Sequence, residues 1–167
     1  TSNYAATTSR SLGQVKIVGD LTLDNNVILN MTGTIWVTGN ITPGNNSQIK
    51  LDPSYGSDSG VIVSDGRINI ANNSTFAGSG TAGSYIMAIT TSDCPTSVSC
   101  GGAYAIDVAN NAGTVVLNAQ NGTLHFNNNA GAKSGTAKTI VLDNNAVVTY
   151  ETGLQSVDFS SGPSGAW

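Results

Sequence analysis

The most regular part of the chain reads Ile106-Asp-Val108-Ala-Asn110-Asn111-Ala112, then Leu124-His-Phe126-Asn127-Asn128-Asn129-Ala130, then Ile140-Val-Leu142-Asp-Asn144-Asn145-Ala146. The same unit, two apolar residues in alternation followed by an Asn pair, occurs earlier at residues 21–27 and 68–74. Alternation with a period of two places both apolar side chains of a copy on one face of a β-strand. The pattern therefore predicts short strands that share a buried interior.

The Asn pairs predict where these strands end. Asn tolerates left-handed backbone angles and hydrogen-bonds its own backbone, so it suits a tight bend. The last three copies begin at residues 106, 124 and 140, which gives steps of 18 and 16 residues. Such steps are too short for a strand-helix-strand crossover, which needs about 30 residues. We therefore predict an all-β fold, a single-stranded, right-handed parallel β-helix (β-solenoid) whose coils cover one another, with a β-sandwich as the alternative.

The apolar pattern also divides the chain. Residues 1–11 are polar and unpatterned and are expected to be a leader or a linker, whereas residues 12–167 are expected to form one solenoid domain. Interruptions near residues 52–60 and 77–105 predict insertions that leave the coils. Function is expected in such insertions more often than in the coils that support them.

Charge is sparse along the chain. Six Lys or Arg residues face ten Asp or Glu residues, for a formal net charge of -4. Because phosphate binding depends mainly on basic side chains, this composition does not favour nucleic acid over other ligands. The sequence contains no signal peptide and no apolar run long enough to span a membrane. It starts at Thr1, and we expect a mature product or an excised domain.

The two cysteines, Cys94 and Cys100, lie in a Pro- and Gly-containing loop. A metal or redox pair is the functional alternative to a disulfide, but six-residue spacing without a neighbouring His or further Cys is poor for zinc. We predict a Cys94–Cys100 disulfide, which indicates an oxidising compartment and an exported protein.

Five segments share a pattern with a known family: Gly39-Asn-Ile-Thr42, Ile49-Lys-Leu-Asp52-Pro-Ser-Tyr-Gly56, Gly60-Val-Ile-Val-Ser-Asp-Gly66, Gly78-Ser-Gly80 with Gly83-Ser-Tyr-Ile-Met87, and Asn144-Asn-Ala-Val-Val-Thr-Tyr-Glu-Thr-Gly-Leu154. They resemble the carboxy-terminal β-solenoid region of large minor-pilin-like proteins of type IV pilus systems. The amino-terminal hydrophobic anchor helix of that family is absent from this sequence. The resemblance implies a location at the cell surface or the pilus, no enzymatic activity, and other pilus subunits or the rest of a longer chain as partners. Some competence-associated relatives are thought to bind DNA.

Outward positions of the predicted strands hold the residues best suited to contact a ligand. Lys16, Trp36 and Lys50 each lie between two apolar residues, so they are expected to point to solvent. Placed in one column, they would form a basic and aromatic strip for a nucleic-acid strand or a glycan. The alternative is ordinary solvated side chains, with Trp36 covered by a loop or by another domain. With three tyrosines in or beside the insertions, the candidate ligand-binding residues are Lys16, Trp36, Lys50, Tyr55, Tyr85 and Tyr104.

Acidic residues and the single histidine give little support to catalysis. Asp52, Asp58 and Asp65 are weak calcium candidates, since each of Asp52 before Pro and Asp65 before Gly also suits a turn. His125 alternates outward between Leu124 and Phe126 and is expected to be an inert surface residue; no Gly-x-Ser-x-Gly nucleophile turn accompanies it. We assign no catalytic residue, no metal site and no cofactor.

Three functions are compatible with these features. The first is a non-enzymatic, extracellular, pilus-associated β-solenoid for display, adhesion or binding of a surface, a glycan or DNA. The second is a carbohydrate-active β-helix enzyme of the polysaccharide lyase or hydrolase type. The third is a self-assembling β-helix protein of the bactofilin type, which the cysteine loop and the long insertions disfavour.

Overall fold

A computed structural model of the chain describes residues 2–94, 104–113 and 116–162. Its strands pair in parallel, each with a strand of a neighbouring coil. The predicted parallel β-helix is therefore confirmed, and the β-sandwich alternative is excluded. No helix in the described part of the chain is long and apolar enough to cross a lipid bilayer.

The coil has three faces, which the chain visits in turn. The first face contains β1 (Tyr4–Ala6), β4 (Leu21–Leu23), β7 (Ile41–Pro43), β10 (Ile68–Ile70) and β13 (Ile106–Val108). The second face contains β2 (Arg10–Leu12), β5 (Ile28–Met31), β8 (Gln48–Leu51), β11 (Thr75–Ala77), β15 (Gly131–Ala132) and β17 (Val147–Val148), with a bridge at Gly113 between β11 and β15. The third face contains β3 (Val15–Ile17), β6 (Ile35–Val37), β9 (Gly60–Ser64) and β12 (Ile86–Thr90).

Two long strands complete the coil and join two of these faces. β14 (Val116–Phe126) and β16 (Ser134–Leu142) each begin on the third face and end on the first. A register shift between Ala119 and Thr123 marks the place where β14 turns from one face to the other. The steps between the last repeats are short because β14 and β16 each pass from the third face to the first as one strand, without a connecting loop.

The Asn pairs occupy the corner between the first and second faces. The second Asn of each pair has a left-handed φ, between 56 and 63°, at Asn26, Asn46, Asn73, Asn111, Asn129 and Asn145. Asn46 belongs to a copy that the apolar pattern missed, because Pro43 stands at its second apolar position. Stacked corners are joined mainly through the backbone: the N–H of Asn46 donates to the carbonyl of Asn72 at 3.1 Å, and the N–H of Asn73 to that of Asn110 at 3.2 Å.

Inward side chains form one continuous core of aligned columns. On the first face, Leu21, Ile41, Ile68, Ile106 and Leu124 stack in register and are fully buried. Burial of such a side chain is worth about 1.5–3 kcal/mol relative to exposure, so the columns supply most of the driving force for stacking.

Close stacking at the corner between the third and first faces requires glycine. The N–H of Gly66 donates to the carbonyl of Gly39 at 3.1 Å, and a Cβ on Gly66 would lie 2.7 Å from that carbonyl group. A larger residue would separate the coils at this corner.

The insertions leave the coil at two corners. Residues 52–59, with a 3-10 helix at Pro53–Tyr55, connect the second face to the third. The segment predicted as one insertion at 77–105 contains β12, so it comprises a connection before this strand and the cysteine loop after it. Residues 95–103 of that loop, including Cys100, lie outside the described residues.

The C-terminal segment runs back along the solenoid. Residues 149–162, which we call the C-terminal strap, contain a 3-10 helix at Thr152–Ser156 and a parallel bridge from Phe159 to Ser59. The N–H of Ser59 donates to the Asp158 carbonyl at 3.0 Å, and the N–H of Thr34 donates to the Ser161 carbonyl at 3.0 Å. The strap therefore spans from the last coil to one of the first.

Candidate functional site

The outer surface of the third face brings Lys16 and Trp36 together. The two residues are direct register partners on β3 and β6, and both side chains point to solvent because their neighbours Ile17 and Val37 fill the core. The Lys16 Nζ atom lies 3.6 Å from the centroid of the Trp36 ring. A cation over an indole face is attracted by the ring quadrupole, so the two side chains form one unit.

A second contact fixes the plane of the Trp36 ring. The indole Nε1–H donates to Oδ2 of Asp65 at 2.9 Å, and the Thr91 hydroxyl donates to Oδ1 of the same carboxylate at 3.4 Å. Asp65 directly follows β9, so two successive coils hold the indole in place. Trp36 still remains 41% exposed. It is a rigid, outward aromatic surface with a polar group at each edge.

A cleft opens beside this ring. It has a volume of about 260 Å³ and is lined by Gln14, Val15, Lys16, Thr34 and Trp36. The wall combines an aromatic ring and an aliphatic side chain with an amide, a hydroxyl and an ammonium group. Such a mixture of apolar surface and a few polar groups is typical of small-ligand sites. We refer to these five residues and Asp65 as the Trp36 site.

Lys50 does not belong to this site. It lies on β8 of the second face, in register with Asn30 on one side and Ala77 on the other. The basic and aromatic strip of Lys16, Trp36 and Lys50 in one column is therefore not formed. The reason is that each coil contains three strands with the same apolar alternation, joined by connections of unequal length. The local sequence around Lys50 therefore does not show on which of the three faces its strand lies.

The three candidate tyrosines have three different environments. Tyr55 is only 3% exposed, and burial raises the pKa of its hydroxyl. Its ring is therefore not available to a ligand, contrary to the expectation from the sequence. Tyr85 interacts with Glu151 of the strap. Tyr104 covers His125, with ring centroids 4.1 Å apart. None of the three lines the cleft at Trp36.

Tyr85 and Lys133 tie the strap to the solenoid. Lys133 Nζ donates to the Glu151 carboxylate, and this bond, together with one from the Tyr85 hydroxyl, lowers the pKa of Glu151. The same carboxylate raises the pKa of Tyr85, because it stabilises the protonated phenol. These groups are partly exposed to solvent, so their bonds orient the strap more than they stabilise it.

Apolar residues lie beneath the strap on the outer side of the third face. A cavity of about 260 Å³ lies between Met87 and Val116 on this side and strap side chains that include Leu154 and Phe159. Among the described residues, this part of the third face is therefore covered, whereas the part around Trp36 is open.

The three acidic candidates act as separate turn residues. Asp52 caps the 3-10 helix and accepts hydrogen bonds from the Ser54 hydroxyl and backbone N–H, which lower its pKa. Asp65 is held by Trp36, and the backbone N–H of Asp58 bonds to the Tyr55 carbonyl. Within the described residues, no group of three or more His, Cys, Asp or Glu side chains is suited to a metal ion.

His125 has a more specific environment than its sequence context indicates. It is 6% exposed, with Nδ1 2.8 Å from Oδ1 of Asp107 and Nε2 3.3 Å from Oδ2 of Asp143. Both ring nitrogens face carboxylates from neighbouring coils, so the imidazole separates two like charges. The sequence does contain a signal for the contact with Asp107, because Asp107 and His125 occupy the same position of their repeats.

The predicted disulfide stays a prediction. The backbone N–H of Cys94 bonds to the Ser92 hydroxyl at 3.3 Å, and its predicted partner Cys100 lies outside the described residues.

Comparison of the chain with protein-family models, with curated proteins and with solved structures gave no match.

Proposed function

We propose that the chain is a non-enzymatic β-solenoid binding module of an extracellular, pilus-associated protein, and that it binds a glycan at the Trp36 site. The observation that carries this proposal is the exposed Trp36 ring, held by Asp65 and Lys16 beside an open cleft. The extracellular location is supported by the predicted disulfide, and the association with a pilus by the resemblance of the sequence.

The geometry of the site suits a sugar. A pyranose ring has an apolar face that packs against an indole, and hydroxyl groups at its edge that need hydrogen-bond partners. Gln14, Thr34 and Asp65 provide such partners around Trp36. Because the indole is already oriented, little conformational entropy is lost when a ligand binds.

The charge distribution favours a glycan over DNA. Lys16 is the only Lys or Arg among the residues of the Trp36 site, and the Asp65 carboxylate lies at the other edge of the ring. Lys50 lies on the second face and Arg67 leads into β10 of the first face. A nucleic-acid strand is bound mainly through several aligned phosphate contacts, which this arrangement does not supply.

Glycan binding by the purified chain tests the proposal. A glycan array followed by calorimetry is expected to yield ligands that bind the wild type without being cleaved. Trp36→Ala is expected to weaken this binding at least about tenfold, since it removes the stacking surface. Lys50→Met on the second face serves as the matched control and is expected to bind as the wild type does.

Three results would contradict the proposal. The first is unchanged glycan affinity in Trp36→Ala. The second is turnover of a bound polysaccharide, which would favour the enzyme alternative. The third is a preference for single-stranded DNA with a steep salt dependence that Lys16→Met reduces.

A further inference from the structure

The corner between the second and third faces forms one wall of the Trp36 site. The chain passes through this corner at residues 13–14 in the first coil and at residues 32–34 in the second, and both Gln14 and Thr34 line the cleft. In the third coil, residues 52–59 make the same connection as an insertion that leaves the coil. On the side of the third coil, the hydrogen-bond partner of this wall comes from the strap.

Strap residues lie between the second and third coils at this corner. The N–H of Thr34 donates to the Ser161 carbonyl at 3.0 Å. On the other side, the N–H of Ser59 donates to the Asp158 carbonyl at 3.0 Å, and the N–H of Ser160 donates to the Ser59 carbonyl at 2.7 Å. The strap is thus hydrogen-bonded to one coil on each side, as a strand is inside a sheet. It occupies the place at this corner that a regular third coil would fill.

Two glycines bring the strap close to the cleft wall. Gly162 has a φ of 145°, and a Cβ on it would lie 2.9 Å from the Thr32 carbonyl oxygen and 3.1 Å from Cα of Gly33. A Cβ on Gly33 would in turn lie 2.7 Å from the backbone nitrogen of Gln14. The backbones of the first coil, the second coil and the strap are therefore layered without room for a side chain between them. Because tightly packed layers transmit strain, the position of the strap end affects Gln14.

Hydrogen bonds connect the same layers at Thr34. Its carbonyl accepts from the N–H of Val15 at 3.2 Å, while its N–H donates to Ser161 of the strap. Of the cleft residues, Thr34 therefore contacts the strap directly, Val15 is linked to it through Thr34, and Gln14 is linked to it through Gly33. The strap end thus supports the wall that faces the Trp36 ring.

We propose that docking of the strap at this corner positions the wall of the Trp36 site, so that strap docking and glycan binding are cooperative. The coupling rests on the glycan function proposed for that site. Ser161 and Gly162 contact the wall without lining the cleft themselves, so they are positioning residues. A glycan selects the docked state, because Gln14 and Thr34 then have fixed places from which to bond its hydroxyl groups. By reciprocity, a bound glycan strengthens strap docking by the same factor.

Gly162→Ala tests the coupling, because it adds one methyl group at the strap end. This methyl group forces the strap away from Thr32 and Gly33 and changes no residue of the Trp36 site. The probe is the oligosaccharide that binds the wild type most tightly on the glycan array, titrated by calorimetry. Its affinity is expected to fall about fivefold or more in Gly162→Ala. Amide exchange at Thr34 should accelerate in this variant, whereas that at Asn46 in the Asn corner should not.

Gly80→Ala is the matched control. Gly80 also has a positive φ, of 96°, but a Cβ on it would meet no atom within 4 Å. This variant is expected to bind the same oligosaccharide as the wild type does. Val157→Ser with Phe159→Ser releases the strap by a different route and leaves Gly162 in place, so it is expected to weaken binding as Gly162→Ala does.

The reciprocal effect is measured in the wild type. A saturating amount of the same oligosaccharide should slow amide exchange at Thr34 and Ser59, by about the factor that separates the affinities of the wild type and Gly162→Ala. A glycan that bound independently of the strap would leave the exchange at Ser59 unchanged.

The outcomes separate the coupling from the proposed function. If no glycan binds the wild type, both are wrong. If a glycan binds the wild type, Gly162→Ala and the Val157→Ser, Phe159→Ser variant with equal affinity, only the coupling is wrong. Equal weakening in Gly80→Ala and Gly162→Ala, or wild-type exchange at Thr34 in both strap variants, would also overturn the coupling.

Discussion

Asn111 and its counterparts in the stacked corners show how a single residue sets the path of the chain. The second Asn of each pair adopts a φ near +60°, where a β-carbon is strained, and Asn tolerates this region better than other non-glycine residues. The corner therefore has the same geometry in every coil, although the loops elsewhere differ in length.

Substitution at this position is expected to follow backbone conformation. Asn111→Ala should lower the free energy of unfolding by about 1–2 kcal/mol, because Ala is strained in the left-handed region, whereas Asn111→Gly should have a smaller effect. Urea unfolding followed by circular dichroism measures both. Asn110→Ala changes the neighbouring exposed residue, whose φ is not positive, and should cost less than Asn111→Ala. Equal costs for Ala at 110 and 111 would contradict this account of the corner.

Asp52 predicts a pH dependence of stability. Its hydrogen bonds from Ser54 lower its pKa in the folded state, so the stabilisation is present above the unfolded value of about 4 and is lost as pH falls through the folded value. Asp52→Asn keeps an acceptor for Ser54 but does not titrate. Between pH 6 and pH 3 the wild type should therefore lose more stability than Asp52→Asn. Identical losses of stability in the two proteins over this pH range would show that Asp52 does not cause the pH dependence.

The C-terminal strap is the element that departs most from the repeat. It is rich in Ser and Gly, and its contacts reach residues as distant in sequence as Ser59 and Thr34. Its apolar side chains Leu154, Val157 and Phe159 cover the outer side of the third face. The strap thus covers part of that face, and the surroundings of Trp36 lie outside the covered part.

Removal of its apolar contacts is expected to release the strap without unfolding the coils. In Val157→Ser with Phe159→Ser, amide hydrogen exchange at Ser59, Thr34 and Ser160 should accelerate, because these amides donate the hydrogen bonds that join the strap to the solenoid. The amides of Asn46 and Asn73 should keep their protection. Val18→Ser, which alters an exposed residue outside the strap, is the control. Acceleration throughout the chain would mean that the strap is part of the core.

Local rules predicted the strands and their bends, but not which outward residues share a face. Alternation identified inward residues such as Ile106 and Val108, because the core selects for them at every coil. The placement of Lys50 away from Trp36, the burial of Tyr55, and the contacts of the strap depend on loop lengths and on packing between distant residues. A short stretch of sequence does not contain the information needed to predict these three features.

At the scale of the whole molecule, the solenoid separates its surfaces. In the part of the chain that the structure describes, the third face has an open aromatic site near one end and the strap over another part. The proposed binding site therefore lies on an open part of the third face, and the strap lies over another part of the same face.

The position of Lys16 over Trp36 depends on this stacking most directly. The residues are separated by 20 positions in sequence, and only coil-on-coil pairing of β3 with β6 brings them together. The Lys16 side-chain methylene protons, measured by NMR, should be shifted upfield by the ring current of Trp36, and the shift should disappear in Trp36→Leu. Methylene protons at their usual positions in the folded wild type would contradict both the stacking and the site built on it.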